Sequence, residues 1–239
     1  MTESSETIAV VTGANRGLGQ EIVRQLARRK VQVVLTARNA TLGRAAADLL
    51  SAQGAPIVFH ALDVLDRRSI RRLAMFLAAR YGHLDVLINN AGAHAKGDGA
   101  GHEVSGATLV EAFGINCVAA VEVSQELLPL LRKSASGRIV NISTLLAQPA
   151  HMDRLPGKLF AYRVAKSALN AATAALAVEL LGEGVTVNAV HPGWLNTAMG
   201  GPDAPQSVEE GAEAVVHLAL DVPSGVSGRF FSQRAVAHW

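Results

Sequence analysis

Tyr162 and Lys166 stand four residues apart in the segment Tyr162-Arg163-Val164-Ala165-Lys166, whose pattern opens a helix, so both side chains fall on one face, one turn apart. An unperturbed tyrosine has a pKa of about 10 and is a poor proton donor or acceptor near neutrality. A cation close enough to stabilise the phenolate changes that. Lys166 is spaced to supply it. On an exposed helix the same two residues would be an amphipathic tyrosine beside a snorkelling lysine, so the rest of the chain has to decide between chemistry and surface.

A second group lies near the start of the chain. Thr12-Gly13-Ala14-Asn15-Arg16-Gly17-Leu18-Gly19 follows an apolar run, Ile8 to Val11, and leads into a stretch where Leu18, Ile22 and Leu26 recur every four residues. Glycine is required where a backbone takes positive φ, closes on a pyrophosphate, or packs a helix tightly on a strand. The unpaired N–H groups of the helix that follows would face the phosphates. An ordinary tight strand-to-helix connection would use similar residues, but the position between the first strand and first helix favours a nucleotide. At the end of the second strand, an acidic residue would bind the ribose hydroxyls of NAD. The chain has Ala37-Arg38 there, with Arg16 inside the glycine turn as a second cation. Two guanidinium groups suit a 2′-phosphate, so the expected cofactor is NADP(H).

These residues need a frame. Apolar β-branched runs at Ile8 to Val11, Val31 to Thr36, Ile57 to Leu62, Leu84 to Asn89, Arg138 to Ile142, Thr186 to His191 and near Arg229 to Phe231 alternate with helical patterns. That alternation predicts an α/β fold: a single-domain, Rossmann-type, doubly wound parallel sheet with helices on both faces. His94 to Gly106 and Ala147 to Phe160 read as loops, the first from its glycines at 97, 99, 101 and 106, the second from Pro149, Pro156 and Gly157. Ligands bind beyond the carboxyl ends of the strands in such sheets, where the second loop must lie.

With 239 residues the chain suits one dinucleotide-binding oxidoreductase domain, residues 1–239, with a substrate flap over about 194–210. Lys and Arg exceed Asp and Glu by only two, which argues against nucleic acid and for a small-molecule partner. The lone cysteine, Cys117, has no Cys or His at ligand spacing and reads as a small buried hydrophobe, so no metal site is expected. Met1 to Thr7 carries Glu3 and Glu6, unlike a secretory leader, and charges interrupt the apolar runs before membrane-spanning length. The expected location is the cytoplasm.

The motifs Thr12 to Gly19, Asp63-Val64, Asn89-Asn90-Ala91-Gly92, Asn116, Asn141-Ile142-Ser143-Thr144, Tyr162 with Lys166, and Pro192-Gly193 resemble, in order and over nearly the whole chain, those of the short-chain dehydrogenases/reductases. Thr12 to Gly17, Thr36-Ala37-Arg38 and Leu84 to Gly92 are similar to the NADPH-dependent carbonyl reductases within it. The resemblance implies hydride transfer from NADPH to a ketone or aldehyde. It makes Tyr162 the general acid, Lys166 the residue that binds the nicotinamide ribose and lowers the Tyr162 pKa, and Asn116 the holder of a relay water. It puts Gly13, Asn15, Arg16, Gly17, Leu18, Gly19 and Arg38 at the phosphates, and Asp63 and Val64 beside the adenine. Asn89, Ala91 and Gly92 would line the ribose and the strand end, and Pro192, Gly193 and Thr197 would close over the nicotinamide.

One departure concerns the family's catalytic serine, the second of a Ser-Ser pair, which is Ser143-Thr144 here. Thr144 keeps a hydroxyl able to donate to a carbonyl oxygen, and strand alternation should turn Ser143 away from it. Alternatives are an NAD-dependent alcohol or hydroxysteroid dehydrogenase, which Arg38 disfavours, a catalytically silent dinucleotide-sensing protein on the same fold, and a nucleotide-sugar epimerase, for which a C-terminal substrate domain is missing. His151 and His191 read as structural. The helix after Tyr162 carries Ala165, Ala168, Ala171, Ala172, Ala174, Ala175 and Ala177; small residues on more than its core face point to a homo-oligomer, while close packing on its own sheet and the long loop before Tyr162 would suit a monomer.

Overall fold

The computed structural model describes residues 6–52, 54, 57–154 and 158–237. Glu3, Pro156 and Gly157, on which the leader and second-loop readings partly rest, lie outside the described residues. Among those described, one sheet runs in the order β3-β2-β1-β4-β5-β6-β7-β8. The strands are β1 (Ile8–Val11), β2 (Gln32–Ala37), β3 (Ile57–Ala61), β4 (Val86–Asn89), β5 (Gly137–Ile142), β6 (Val185–His191), β7 (Phe230–Ser232) and β8 (Ala235–Ala237). Neighbours from β3 to β7 pair in parallel, as predicted. β8 is a correction: it pairs antiparallel with β7. Its exposed Ala235 and Val236 make no buried apolar run that would mark it in the sequence.

The alternation of side chains along β1 divides the core. Ala9 and Val11 face a cluster built with Ile22, Val23 and Leu26 of α1 (Gly17–Arg28), Ala46, Ala47 and Leu50 of α2 (Ala40–Ser51), and Val215 and Ala219 of α7 (Val208–Leu220). Ile8 and Val10 face the opposite layer, with Ile70, Leu73 and Leu77 of α3 (Arg67–Arg80) and Val123 and Leu127 of α5 (Ala119–Leu131). A strand covered on both sides must be apolar at every position, and β1, β2 and β4 are buried throughout.

α4 (Gly106–Phe113) continues through a π turn, Gly114–Val118, into α5, giving an unbroken 26-residue helical stretch. By length and composition it is a membrane-span candidate that the sequence reading did not anticipate. Its apolar stripe, Val123, Leu127, Leu130 and Leu131, is buried in the core, while Glu122 and Glu126 reach Arg67 and Arg71 of α3. That is the division of faces expected for a helix lying on a sheet.

A buried polar chain ties this layer to the strand tips. Asn89 Nδ2 donates to Asn141 Oδ1 at 2.9 Å and to Ser124 Oγ at 3.0 Å, and Asn141 Nδ2 donates to Thr173 Oγ1 at 2.9 Å on α6 (Phe160–Glu179). Removing the middle member deletes two buried side-chain hydrogen bonds, each with a net contribution of about 0.5–1.5 kcal/mol. Asn141→Ala should therefore lower the urea midpoint by an amount equivalent to at least about 1 kcal/mol, whereas Ser136→Ala, at a buried hydroxyl that has no partner, should leave the midpoint in place.

Candidate active site

The glycine turn is built against the tip of β4. Gly13 and Gly17 take φ of 63° and 55°, in the left-handed region. A Cβ on Gly13 would lie 3.0 Å from Ala91 Cα, and one on Gly19 would lie 2.5 Å from Asn90 Nδ2 and 2.8 Å from Ala14 Cα. Thr12 Oγ1 accepts from Asn90 N at 3.0 Å and Ala91 N at 2.9 Å, while Asn90 Nδ2 donates to Thr12 O at 2.8 Å and Gly13 O at 3.1 Å. Thr12 and Asn90 were quoted in motifs but given no site role; they weld the turn to β4. Arg16 precedes α1 in extended conformation, and no side chain caps the helix there. First-turn N–H groups are thus left facing outward, which together with the bare glycine backbone fits a pyrophosphate.

Ala14 N donates to Thr36 O at 2.8 Å and so joins the turn to the end of β2, two residues before Arg38. Arg16 and Arg38 are both exposed. Asn15 lies partly buried in the turn, and Leu18 points its side chain into the α1 and α7 core, leaving only backbone toward a ligand. Asp63 Oδ1 accepts from Leu65 N at 3.0 Å, shaping the turn after β3 that also carries Val64.

Asn89 ends β4, and its amide lies in the buried chain with Ser124 and Asn141, because successive residues on a strand face opposite sides and Asn90 takes the turn side. Ala91 and Gly92 do reach the site. A Cβ on Gly92 would fall 2.9 Å from Asn116 Oδ1 and 3.6 Å from Lys166 Nζ, so glycine permits this close approach. Asn116 sits in the π turn, with Nδ2 donating to Ala93 O at 2.8 Å and Ala112 O at 3.0 Å and Oδ1 accepting from Ala93 N at 3.2 Å. Its amide nitrogen is fully spent, so a relay water must use its carbonyl groups.

The pair that opened the reading is on α6. Lys166 is buried, donates to Ile142 O at 2.7 Å, and has Nζ 5.9 Å from the Tyr162 ring centroid. In the protein alone, the expected lowering of the tyrosine is reversed. Although the residue is only partly buried, loss of water around the phenolate pushes Tyr162 up to about 12. Burial also pulls Lys166 down to about 8, opposed by nearby Cys117. Each shift favours the neutral form.

Ser143 Oγ donates to Asn170 Oδ1 at 2.6 Å and is occupied inside the layer of α6. Thr144 turns to the other side, and its Oγ1 accepts from Leu146 N at 3.2 Å, which leaves its proton for another acceptor. The segment after it is latched to α6: Arg163 donates to the carbonyls of Leu146, His151 and Met152. At the tip of β6, Gly193 has φ 111°, and a Cβ there would collide with Gln206 Oε1, which accepts from Trp194 N at 2.8 Å. Pro192 and Gly193 thus share the sheet edge with Ala91, Gly92 and Thr144, and Thr197 Cγ2 would lie 3.8 Å from a Cβ on Gly17, across the cleft. Sequence reasoning missed Arg163 and Gln206, whose roles exist only through contacts with distant backbone.

Three comparisons bear on this arrangement. Residues 7–207 match the profile of the short chain dehydrogenase family. Over 281 aligned positions covering 99% of both chains, the protein is 37% identical to carbonyl reductase (NADPH) 1 of Bos taurus, and it is 34% identical to (+)-neomenthol dehydrogenase of Arabidopsis thaliana, with 100% of both chains covered. Among solved structures, NADPH-bound carbonyl reductase from chicken fatty liver superposes with a TM-score of 0.89 at 28% identity, covering 98% of this chain and 99% of that one. Salutaridine reductase from Papaver somniferum gives 0.83 at 29%, covering 95% and 99%.

His191, at the end of β6, is partly buried; burial first, and nearby His151 second, hold it down at about 4 against an ordinary 6.5. Below pH 6.5 the unfolded chain binds a proton that the folded chain refuses, so this contribution to stability is present above 6.5 and is lost as pH falls toward 4. Denaturation midpoints should drop over that window, and His191→Asn should flatten the drop.

Proposed function

The chain belongs to the short-chain dehydrogenase family, and from that premise we propose that it is an NADPH-dependent oxidoreductase that reduces a ketone or aldehyde to an alcohol, with Tyr162 as general acid. The observation that carries the reading is the half-buried Tyr162 beside the buried Lys166 at the glycine-bounded cleft of the strand tips. Residues 1–239 act as one dinucleotide-binding unit, with 194–210 as the substrate flap, on a small-molecule carbonyl in the cytoplasm.

NADPH, when bound, supplies the hydride; the protein's own residues bind, orient and move the proton. Arg16 and Arg38 hold the 2′-phosphate, the turn from Gly13 to Gly19 holds the pyrophosphate, and Asp63 and Val64 flank the adenine. Ala91, Gly92, Pro192, Gly193 and Thr197 wall the nicotinamide end. The free proton of Thr144 and the phenol of Tyr162 converge on the carbonyl oxygen and stabilise the alkoxide as charge develops. Tyr162 then gives up its proton.

Giving up that proton is hard for a phenol at about 12, which stands about 3 kcal/mol from an unperturbed one. Lys166 answers this in two ways. Its ammonium, engaged with the ribose, brings positive charge to the phenolate, and at about 8 it keeps its proton at neutral pH while being able to pass one on. Asn116 holds the water that refills it.

Three measurements test this reading. NADPH should bind more tightly than NADH, and Arg38→Asp, losing a charge-assisted contact of roughly 1.5–3 kcal/mol, should shift the ratio of dissociation constants toward NADH by about tenfold or more. Equal constants in the unmutated protein would defeat the cofactor assignment. Tyr162→Phe should abolish NADPH oxidation with a carbonyl panel yet bind NADPH as before. Thr144→Ser should stay active, whereas Thr144→Val should lose about 2.7–4 kcal/mol of transition-state stabilisation; undiminished turnover would move its role to another hydroxyl.

A further inference from the structure

Helix α6 carries Tyr162 and Lys166, but its own sequence does not start it. Leu159, which precedes the first turn, takes φ 53°, where an L side chain costs roughly 1–2 kcal/mol, and no side chain at that position accepts a first-turn N–H. By contrast, Asn39, Asp66, Ser105 and Ser207 cap the helices that follow them.

The acceptors for α6 come from the loop after β4. Asp98 Oδ1 accepts from Ala161 N at 2.8 Å and Asp98 Oδ2 from Tyr162 N at 2.9 Å, across separations of 63 and 64 residues. Gly99 O accepts from Phe160 N at 3.1 Å. The same loop sets the His94 ring edge-on to Tyr162, with centroids 4.8 Å apart and planes at 79°, and lays Gly101 under the Phe160 ring, where a Cβ would come within 2.6 Å. The loop is itself anchored: Asn116 holds both backbone groups of Ala93, and Thr108 Oγ1 donates to Lys96 O at 3.2 Å.

We infer that Asp98 is the positioning residue for Tyr162: by accepting two consecutive N–H groups it fixes the first turn of α6 against the tip of β4. The inference rests on the reading of Tyr162 as proton donor. Two charge-assisted bonds at a helix N-terminus are strong for their size, and a carboxylate receiving both amides leaves the turn no freedom to rotate. His94 then confines the ring that the backbone has placed. Burial keeps its imidazole below the ordinary histidine pKa despite Asp98, so it packs as a neutral ring at neutral pH. Displacing a reacting group by about 1 Å can cost on the order of a hundredfold in rate, so the clamp should be visible in turnover and not in stability alone.

The test uses the full chain with NADPH and a carbonyl that the unmutated protein reduces. Asp98→Ala should lower kcat by about tenfold or more, and Asp98→Asn, which keeps one accepting oxygen, by less, with substrate KM and NADPH Kd within about twofold. Amide hydrogen exchange at Ala161 and Tyr162 should quicken in the same order. Asp66→Ala removes the cap of α3, where Asp66 Oδ1 accepts from Arg68 N at 2.9 Å, and should lower the melting temperature while kcat holds. A lower melting temperature with kcat unchanged in Asp98→Ala would overturn the inference, as would unchanged exchange. Should Asp98→Ala fail to fold, Asp98→Asn carries the same comparison. Exchange needs no turnover: quickened exchange in a protein that reduces no carbonyl would refute the proton-donor reading of Tyr162 and leave the clamp standing.

Discussion

A phenol and an ammonium one helical turn apart cannot be taken out of water without each being driven toward its neutral form. Tyr162 near 12 and Lys166 near 8 are two sides of that one desolvation. The architecture around them keeps Lys166 buried and Tyr162 half-buried yet usable. Ile142, at the tip of β5, lends its carbonyl to the ammonium. Gly92 has no side chain to separate Lys166 from Asn116. The layer of α5 and α6 is tied to β4 and β5 by Ser124, Asn89, Asn141 and Thr173, which joins the strand tips to the reacting helix.

The cofactor cleft is equally prepared. Thr12 and Asn90 hold the glycine turn by four hydrogen bonds to the β4 tip, so its left-handed glycines do not wait for a ligand to fold them. Ordering in advance lowers the cost of binding. Arg16 and Arg38 are both exposed, and in the function proposed above they are the charges that choose among dinucleotides while the rest of the turn serves the pyrophosphate.

Much of this was legible in the residues because the requirements are local. Positive φ at Gly13 and Gly17, the apolar strands and the spacing of Tyr162 and Lys166 are properties of short segments. Alternation along β5 also served well: Asn141 and Ser143 share a face and both reach α6, which frees Thr144 for the cleft. The same rule applied to β4 turns the Asn89 amide to the side of Leu87, into the buried polar chain. Asp98, Arg163 and Gln206 were out of reach because each acts on backbone that only the folded chain brings near. The direction of the tyrosine shift was also out of reach, since it depends on how much water the fold removes.

The central claim is that burial holds Tyr162 in its protonated form in the protein alone and that bound cofactor with Lys166 brings the phenolate within reach. The chain has two tyrosines, Tyr81 and Tyr162, so ring-labelled tyrosine can be titrated by carbon NMR and assigned with Tyr162→Phe. The account predicts that Tyr162 titrates near 12 without ligand and falls by at least about one unit, or about 1.4 kcal/mol, on saturation with NADP+. A Tyr162 that titrates at or below the ordinary tyrosine value without ligand, or that does not move when NADP+ binds, would contradict it.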